Sequence, residues 1–182
     1  MPSAPQILPT QIQQGTAPGV SYRLEGELVP VLHMALDGQV PVYFEHHVLL
    51  WKYPSLQIGL HPLKKGLKRR VFGGMPLLLL EAQSPGELAF SRDSPGHIVA
   101  LHLQGGEGIV VREHQFLAAT GNLDYTFERA GGFGSMMFGS QGFFVDRFES
   151  NNGPATLWLH AHGNAFEINP YGVEGGEPAD RL

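Results

Sequence analysis

Cysteine is absent from the sequence, and this removes several kinds of site from consideration. Without thiols the chain forms no disulfide, carries no thiolate nucleophile and holds no zinc through sulfur. Charged residues are also scarce, at 16% of the chain, and the formal net charge is −5. Proteins with general nucleic-acid affinity neutralise phosphates with Lys and Arg, so the acidic balance argues against nucleic acid as a partner.

Long apolar runs are missing as well. The longest purely aliphatic run is Leu77–Leu80, far short of the roughly 20 residues that a membrane-spanning helix needs. The N-terminal stretch has neither the charged segment nor the apolar segment of a secretory signal. It is rich in Pro, Gln and Thr, so we expect a flexible leader over residues 1–20 and a cytoplasmic protein without a transmembrane segment.

Glycine and proline are abundant instead, with 24 and 14 copies, and hydrophobic residues make up 42% of the chain. Together with Asn and Asp they separate short apolar segments such as HIVALHL and ATLWLHAH. No stretch keeps the 3.6-residue period of a helix over about ten residues. Short apolar segments bounded by turn residues are typical of β-strands, so the sequence predicts an all-β protein.

The chain also resembles itself at a spacing of 66 to 69 residues. The stretch FEHHVLLW contains Glu45-His46, and it aligns with REHQFLAA, which contains Glu113-His114. Later landmarks follow in the same order, including a Phe-Gly pair, an apolar strand, a Gly/Pro turn and a closing glycine. A single unit of this size buries little surface. We therefore predict one β repeat over residues 21–97 and a second over 98–182, packed together as one compact unit.

Three stretches resemble a known family: LKRRVFGGMPLLLLEAQSPGELAFSRDSPGHIVALHL, EHQFLAATGNLDYTF and FGSQGFFVDRFESNNGPATLWLHAHGNAFEI. They are similar to the TRAP-like family that includes the mitochondrial altered-inheritance proteins and bacterial proteins of unknown function. The resemblance implies a duplicated sandwich, a shortened form of the double-stranded β-helix, often assembled into rings or trimers. Its motifs serve packing and turns, so it assigns no catalytic residue. Family members usually continue through a further strand pair, whereas this sequence stops at Leu182.

One histidine pair raises the possibility of a metal site. His160 and His162 alternate on a predicted strand, which points both rings the same way, and Glu167 follows. This spacing is close to the first cupin motif, and it supports an alternative hypothesis of a cupin-like, metal-dependent enzyme using these three residues. A cupin needs a further histidine downstream, but His162 is the last in the chain. We therefore expect ordinary surface or interface histidines, with no bound metal and no cofactor.

Five of the twelve basic residues are concentrated in one short stretch. They could contact anionic lipid at a membrane surface or RNA phosphates, but a solvated loop between strands explains them equally simply. RNA binding rests on fold analogy alone. The residues concerned are Lys64, Lys65, Lys68, Arg69 and Arg70.

Self-association is the partner interaction that the sequence favours. The Gly-rich segment GGFGSMMFGSQGFF carries Met136, Met137 and Phe138, apolar side chains that are costly to expose. Repeated β units also leave open sheet edges, which natural proteins usually cover. The sequence thus predicts a non-enzymatic, oligomeric binding or scaffold protein, most simply a homotrimer, with those three residues as candidate contacts.

Overall fold

A computed structural model describes residues 13–62, 78–112, 114–130, 143–150 and 153–163 of the chain. These residues form strands and turns, with one short 3-10 turn at His46–Val48 and no α-helix. The prediction of an all-β protein is therefore confirmed. The strands are β1 Gln13–Ala17, β2 Val20–Glu25, β3 Val31–Leu36, β4 Val42–Glu45, β5 Leu49–Lys52, β6 Ile58–Leu60, β7 Leu79–Ala82, β8 Gly86–Phe90, β9 Gly96–Leu103, β10 Gly108–Arg112, β11 Phe116–Thr120, β12 Leu123–Ala130, β13 Phe143–Ser150 and β14 Ala155–His162.

The strands form three open sheets in which all neighbours run antiparallel. A five-stranded sheet has the order β1-β2-β3-β8-β5, and a three-stranded sheet has the order β10-β13-β12. The third sheet has six strands in the order β6-β7-β4-β11-β14-β9. Its middle pair, β4 with β11, joins a strand from the first half of the chain to one from the second half.

The six-stranded sheet lies between the other two. One of its faces packs with the five-stranded sheet in a first core cluster, which includes Phe44, Phe90 and Trp158. Its other face packs with the three-stranded sheet in a second core cluster, which includes Phe116 and Phe148. Apolar area removed from water on both faces contributes about 25 cal/mol per Å², so this central sheet anchors the fold.

Central strands differ from edge strands in their sequence pattern. All four residues of β4 and all five of β11 are buried, and both read as nearly continuous apolar runs, VYFE and FLAAT. Edge strand β10, GIVVR, instead alternates between exposed and half-buried residues. A strand covered on both faces has no solvent side to which a polar alternation could correspond. The run of apolar residues is therefore the local signal for the central position.

The pairings within the first half of the chain recur in the second. Strand β8 lies between β3 and β5, and β14 likewise lies between β9 and β11. Strand β7 lies between β6 and β4, and β13 lies between β12 and β10. Even an irregularity recurs, since the register shifts between Leu49 and Trp51 on β5 and between Phe116 and Ala118 on β11.

The end of the predicted leader is ordered differently from the expectation. Residues 13–17 form β1, which pairs with β2 through a tight turn at Gly19, where φ is +72°. Opposite Tyr22, Gly15 leaves room for the tyrosine ring, because a Cβ there would overlap it. The Tyr22 ring then packs edge-on against Trp158, with ring centroids 5.3 Å apart. Backbone pairing and glycine packing hold this stretch, although its composition is typical of coil.

In the part of the chain that the structure describes, no helix has the length and apolar character to cross a bilayer.

Candidate functional site

His160 lies at the meeting point of three segments and is fully buried. Its main-chain N–H donates to the carbonyl of Gln115, just before β11, at 2.8 Å. Its ring Nε2 lies 3.2 Å from the carbonyl of Ser94 in the turn between β8 and β9. Because a carbonyl only accepts, Nε2 carries the hydrogen and Nδ1 is left as the acceptor. Nδ1 is buried and contacts no polar atom among the described residues.

The expectation that both histidines lie at the surface is wrong for His160. The sequence places the pair near a strand end beside Gly163, where exposure is common. Strand β9, however, pairs along the whole of β14, with Gly96 opposite His162. Having no side chain, Gly96 gives the His160 ring its space, since a Cβ there would lie 2.8 Å from the ring. His162 itself is exposed.

Burial is the main reason why the pKa of His160 is lowered from the usual value of a histidine. The hydrogen bond to Ser94 opposes this shift, while the neighbouring charges of His162 and Arg92 reinforce it. His160 is therefore neutral at pH 7. A neutral imidazole can bind a metal, but a site with catalytic function needs about three protein ligands.

The structure does not assemble such a set from its described residues. No group of three or more His, Asp or Glu residues there is arranged to hold a metal ion. The rings of His160 and His162 lie edge to face, with centroids 5.1 Å apart. Glu167, the third member of the cupin-like hypothesis, lies outside the described residues, so that hypothesis gains no geometric support.

A buried ion pair close to His160 was not predicted. Arg92, in the turn after β8, donates from Nη2 to Oε2 of Glu45 on β4 at 2.9 Å and also to the carbonyl of Phe116 on β11. The side chains are only 9% and 8% exposed for Arg92 and Glu45. His47 lies 3.3 Å from the same carboxylate oxygen. We call Glu45, His47 and Arg92 the Arg92 cluster.

The Arg92 cluster lies across the junction between β4 and β11. The pKa of His47 is lowered, chiefly by burial and also by the positive charge of Arg92, while Glu45 acts in the opposite direction. Arg92 is already engaged by a carboxylate and a carbonyl, so its charge is directed inward. This geometry joins two strands and a turn and therefore suits structural stabilisation.

A second acid–imidazole pair lies near the other end of the central sheet. His61 Nδ1 lies 2.5 Å from Oε2 of Glu81 on β7, and the amide of Gln83 donates to the other carboxylate oxygen at 2.5 Å. The His61 ring stacks on Tyr43, with centroids 4.3 Å apart. The Tyr43 hydroxyl donates to the carbonyl of Leu123 at 3.0 Å, and burial raises its pKa well above the ordinary value. No local sequence motif signals this arrangement, because residues 61 and 81 meet only through the pairing of β6 with β7.

Two edge strands expose apolar side chains. Strand β5 is paired only with β8, and β10 is paired only with β13, among the described residues. On or beside β5, Leu50, Trp51 and Tyr53 are exposed, Trp51 to 38%. On β10, Val110 is 48% exposed. Open edges of this kind invite pairing with another strand.

The other candidate contacts lie outside the described residues. These are the basic group Lys64, Lys65, Lys68, Arg69 and Arg70, and the apolar group Met136, Met137 and Phe138. Their assigned roles stay predictions.

Taken together, these features define a class: an all-β protein of layered antiparallel sheets, with buried ion pairs at strand junctions and apolar open edges. The sequence pattern of the family "Mitochondrial biogenesis AIM24" matches residues 22–174. The chain therefore belongs to this family, as its resemblance to the mitochondrial altered-inheritance proteins and their bacterial relatives predicted.

Two streptococcal proteins are similar to the chain. An uncharacterized protein of Streptococcus pyogenes serotype M6, M6_Spy0233, is 31% identical over 143 residues, which cover 77% of this chain and 54% of that protein. The chain thus spans about half the length of this curated relative. The crystal structure of protein SPYM3_0169 from Streptococcus pyogenes aligns with a TM-score of 0.56 at 19% identity, covering 86% of this chain and 66% of the other. That likeness supports the fold alone.

Proposed function

We propose that this AIM24-family chain is a non-enzymatic binding or scaffold protein that acts as a homo-oligomer. The observation that carries the proposal is the exposure of Trp51 and Val110 on strands that are each paired on one side only. Leaving a large apolar side chain in water costs about 1.5–3 kcal/mol relative to burying it. A further copy of the chain would cover these side chains and satisfy the open strand edges.

The architecture we propose is a duplicated, TRAP-like sandwich. The equal strand orders β3-β8-β5 and β9-β14-β11 support it, as do the orders β6-β7-β4 and β12-β13-β10. Further support comes from the shared register shift on β5 and β11. A protein built from two equivalent units has equivalent edges, and such edges favour closed assemblies of identical chains. A homotrimer is the assembly we propose.

The experiment that tests this function is a measurement of native mass. Light scattering behind size-exclusion chromatography, at several loading concentrations and moderate salt, is expected to give a mass near three times 19.9 kDa. A dimer would retain self-association but contradict the trimer. A mass of 19.9 kDa at every concentration would refute the proposal.

A further inference from the structure

The proposed self-association leaves open which surfaces meet, and the central sheet supplies a template. Strands β4 and β11 pair antiparallel there, with Phe44 opposite Ala118 and Tyr43 opposite Ala119. By strand order, β10 takes in its half the place that β4 takes in the first half. In the same way β5 takes the place of β11. The two strands that correspond to the central junction are therefore the two that expose apolar side chains.

The registers make the correspondence residue-specific. The shift on β5 lies between Leu49 and Trp51, and the shift on β11 lies 67 residues later, between Phe116 and Ala118. Trp51 thus corresponds to Ala118. The same spacing carries β4 onto β10, so that the pairing of Glu45 with Leu79 matches that of Arg112 with Val145.

We infer that a second copy of this chain docks its β10 antiparallel onto β5, repeating between chains the junction that β4 and β11 form within one chain. This inference rests on the proposed self-association and specifies its contact. The predicted register puts Val111 opposite Trp51 and Val110 opposite Lys52. Each chain would then present one β5 and one β10, a head-to-tail contact that forms rings when it closes.

Side chains that cross the junction support the inference. In the central sheet Ala118, from the second half, packs in the first core cluster, and Tyr43, from the first half, packs in the second. Both are fully buried. Their counterparts are Trp51 and Val110, which are 38% and 48% exposed. The side chains that would enter the neighbour's core are thus the ones that this chain leaves in water.

Volume and backbone direction agree with the same pairing. At the central junction the bulky side chains Tyr43 and Phe44 on β4 face alanines on β11. At the inferred junction the bulk is on β5, with Trp51, and β10 supplies valines. The N–H of Tyr53 donates to the carbonyl of Glu87 on β8 at 2.9 Å. Since main-chain groups alternate along a strand, those of Lys52 point to the open side, where a new strand would pair.

Charge substitutions at Val110 test the register. Val110→Lys would place a second cation opposite Lys52 of the neighbour, whereas Val110→Glu would place an anion there. Both substitutions put a long polar side chain at the same exposed position, so the glutamate variant is the matched control for folding. We expect Val110→Lys to reduce the native mass to 19.9 kDa and Val110→Glu to keep the assembled mass. Combining Val110→Lys with Lys52→Glu is expected to restore assembly.

Disulfide trapping tests the same contact covalently, because the native chain has no cysteine. Residues directly opposite in a non-hydrogen-bonded antiparallel pair lie about 4.5 Å apart at Cα, within disulfide range. Mixing a Trp51→Cys chain with a Val111→Cys chain under mild oxidation is expected to give a covalent dimer on a non-reducing gel. A Tyr53→Cys chain mixed with Val111→Cys is out of register by two residues and is expected to stay uncrosslinked.

The outcomes separate the inference from the proposed function. An assembled wild-type protein whose mass survives Val110→Lys, and which gives no Trp51→Cys to Val111→Cys disulfide, would overturn the inference and leave self-association intact. A monomeric wild-type protein would overturn both. A mass that falls equally for Val110→Lys and Val110→Glu would place Val110 at a contact of different register, and it would refute the pairing with Lys52.

Discussion

The Arg92 cluster offers the sharpest test of what holds the two halves together. Replacing Arg92 with Met removes the donor to Glu45 and to the Phe116 carbonyl while keeping an unbranched side chain. The Glu45 carboxylate, only 8% exposed, would then lose the cation that compensates it. Removing one partner of a buried ion pair typically costs about 3–5 kcal/mol. That is a large part of the roughly 5–15 kcal/mol by which a domain is stable.

The measurement is urea unfolding followed by circular dichroism. With a slope of about 2 kcal/mol per M, the loss corresponds to a midpoint lower by about 1.5–2.5 M. The matched control is Arg23→Met, because Arg23 pairs with Glu25 at 3.0 Å on the surface, with both side chains well exposed. Exposed pairs contribute about 0–1 kcal/mol, so this variant should unfold close to the wild-type midpoint.

A double-mutant cycle identifies the source of the loss. The double variant Glu45→Leu with Arg92→Met has no uncompensated charge, and we expect it to be more stable than Arg92→Met alone by at least about 2 kcal/mol. It still leaves the Phe116 carbonyl without its donor, which costs about 1–3 kcal/mol. The reasoning is refuted if Arg92→Met costs no more than Arg23→Met, or if the two single losses simply add.

Three other predictions follow from packing and protonation. The unfolded chain takes up a proton at the usual histidine pKa of about 6.5, whereas burial lowers the pKa of His160 in the folded state; stability should therefore fall as the pH drops below about 6.5, by up to about 1.4 kcal/mol per unit for one proton. In His160→Gln that decline should be shallower, and equal pH slopes in both proteins would contradict this. Gly96→Ala should cost about 1–3 kcal/mol in urea unfolding because its Cβ meets the Ala161 carbonyl and the His160 ring, whereas Gly59→Ala, with nothing within 4 Å of its Cβ, should be neutral. Iodide should quench a Trp158→Phe protein, which keeps the exposed Trp51, far more than a Trp51→Phe protein, and equal quenching would refute the difference in burial.

The all-β character could be predicted because each strand is encoded locally. An apolar segment such as HIVALHL, ended by a Gly-rich turn, excludes a helix within a few residues. Strand β1 escaped this reasoning because QQGTA has no apolar alternation. Its order depends on backbone pairing with β2 and on Tyr22 packing over Gly15. Such partners are distant from the residues they stabilise, so composition does not report them.

The buried sites escaped prediction for a related reason. Glu45 and Arg92 are 47 residues apart, and they meet only because a turn after β8 folds over the junction of β4 and β11. No spacing along the chain encodes such a contact. His160 was visible in the sequence, but its burial depends on β9 extending to Gly96 at the far end of β14. The sequence located the residue, whereas strand pairing decided its environment.

The pairing of β4 with β11 also has a consequence for how the chain folds. Phe44 and its partner Ala118 are separated by about 75 residues, and contacts of such long range slow folding because chain entropy is lost before they form. At about 5–20 residues per second, a ribosome needs roughly 4–15 s between the synthesis of the two strands. Throughout that interval the nascent β4 has an open edge next to Tyr43 and Phe44. A β11 strand from another nascent chain can pair with it, so crowded translation of this protein favours domain-swapped products.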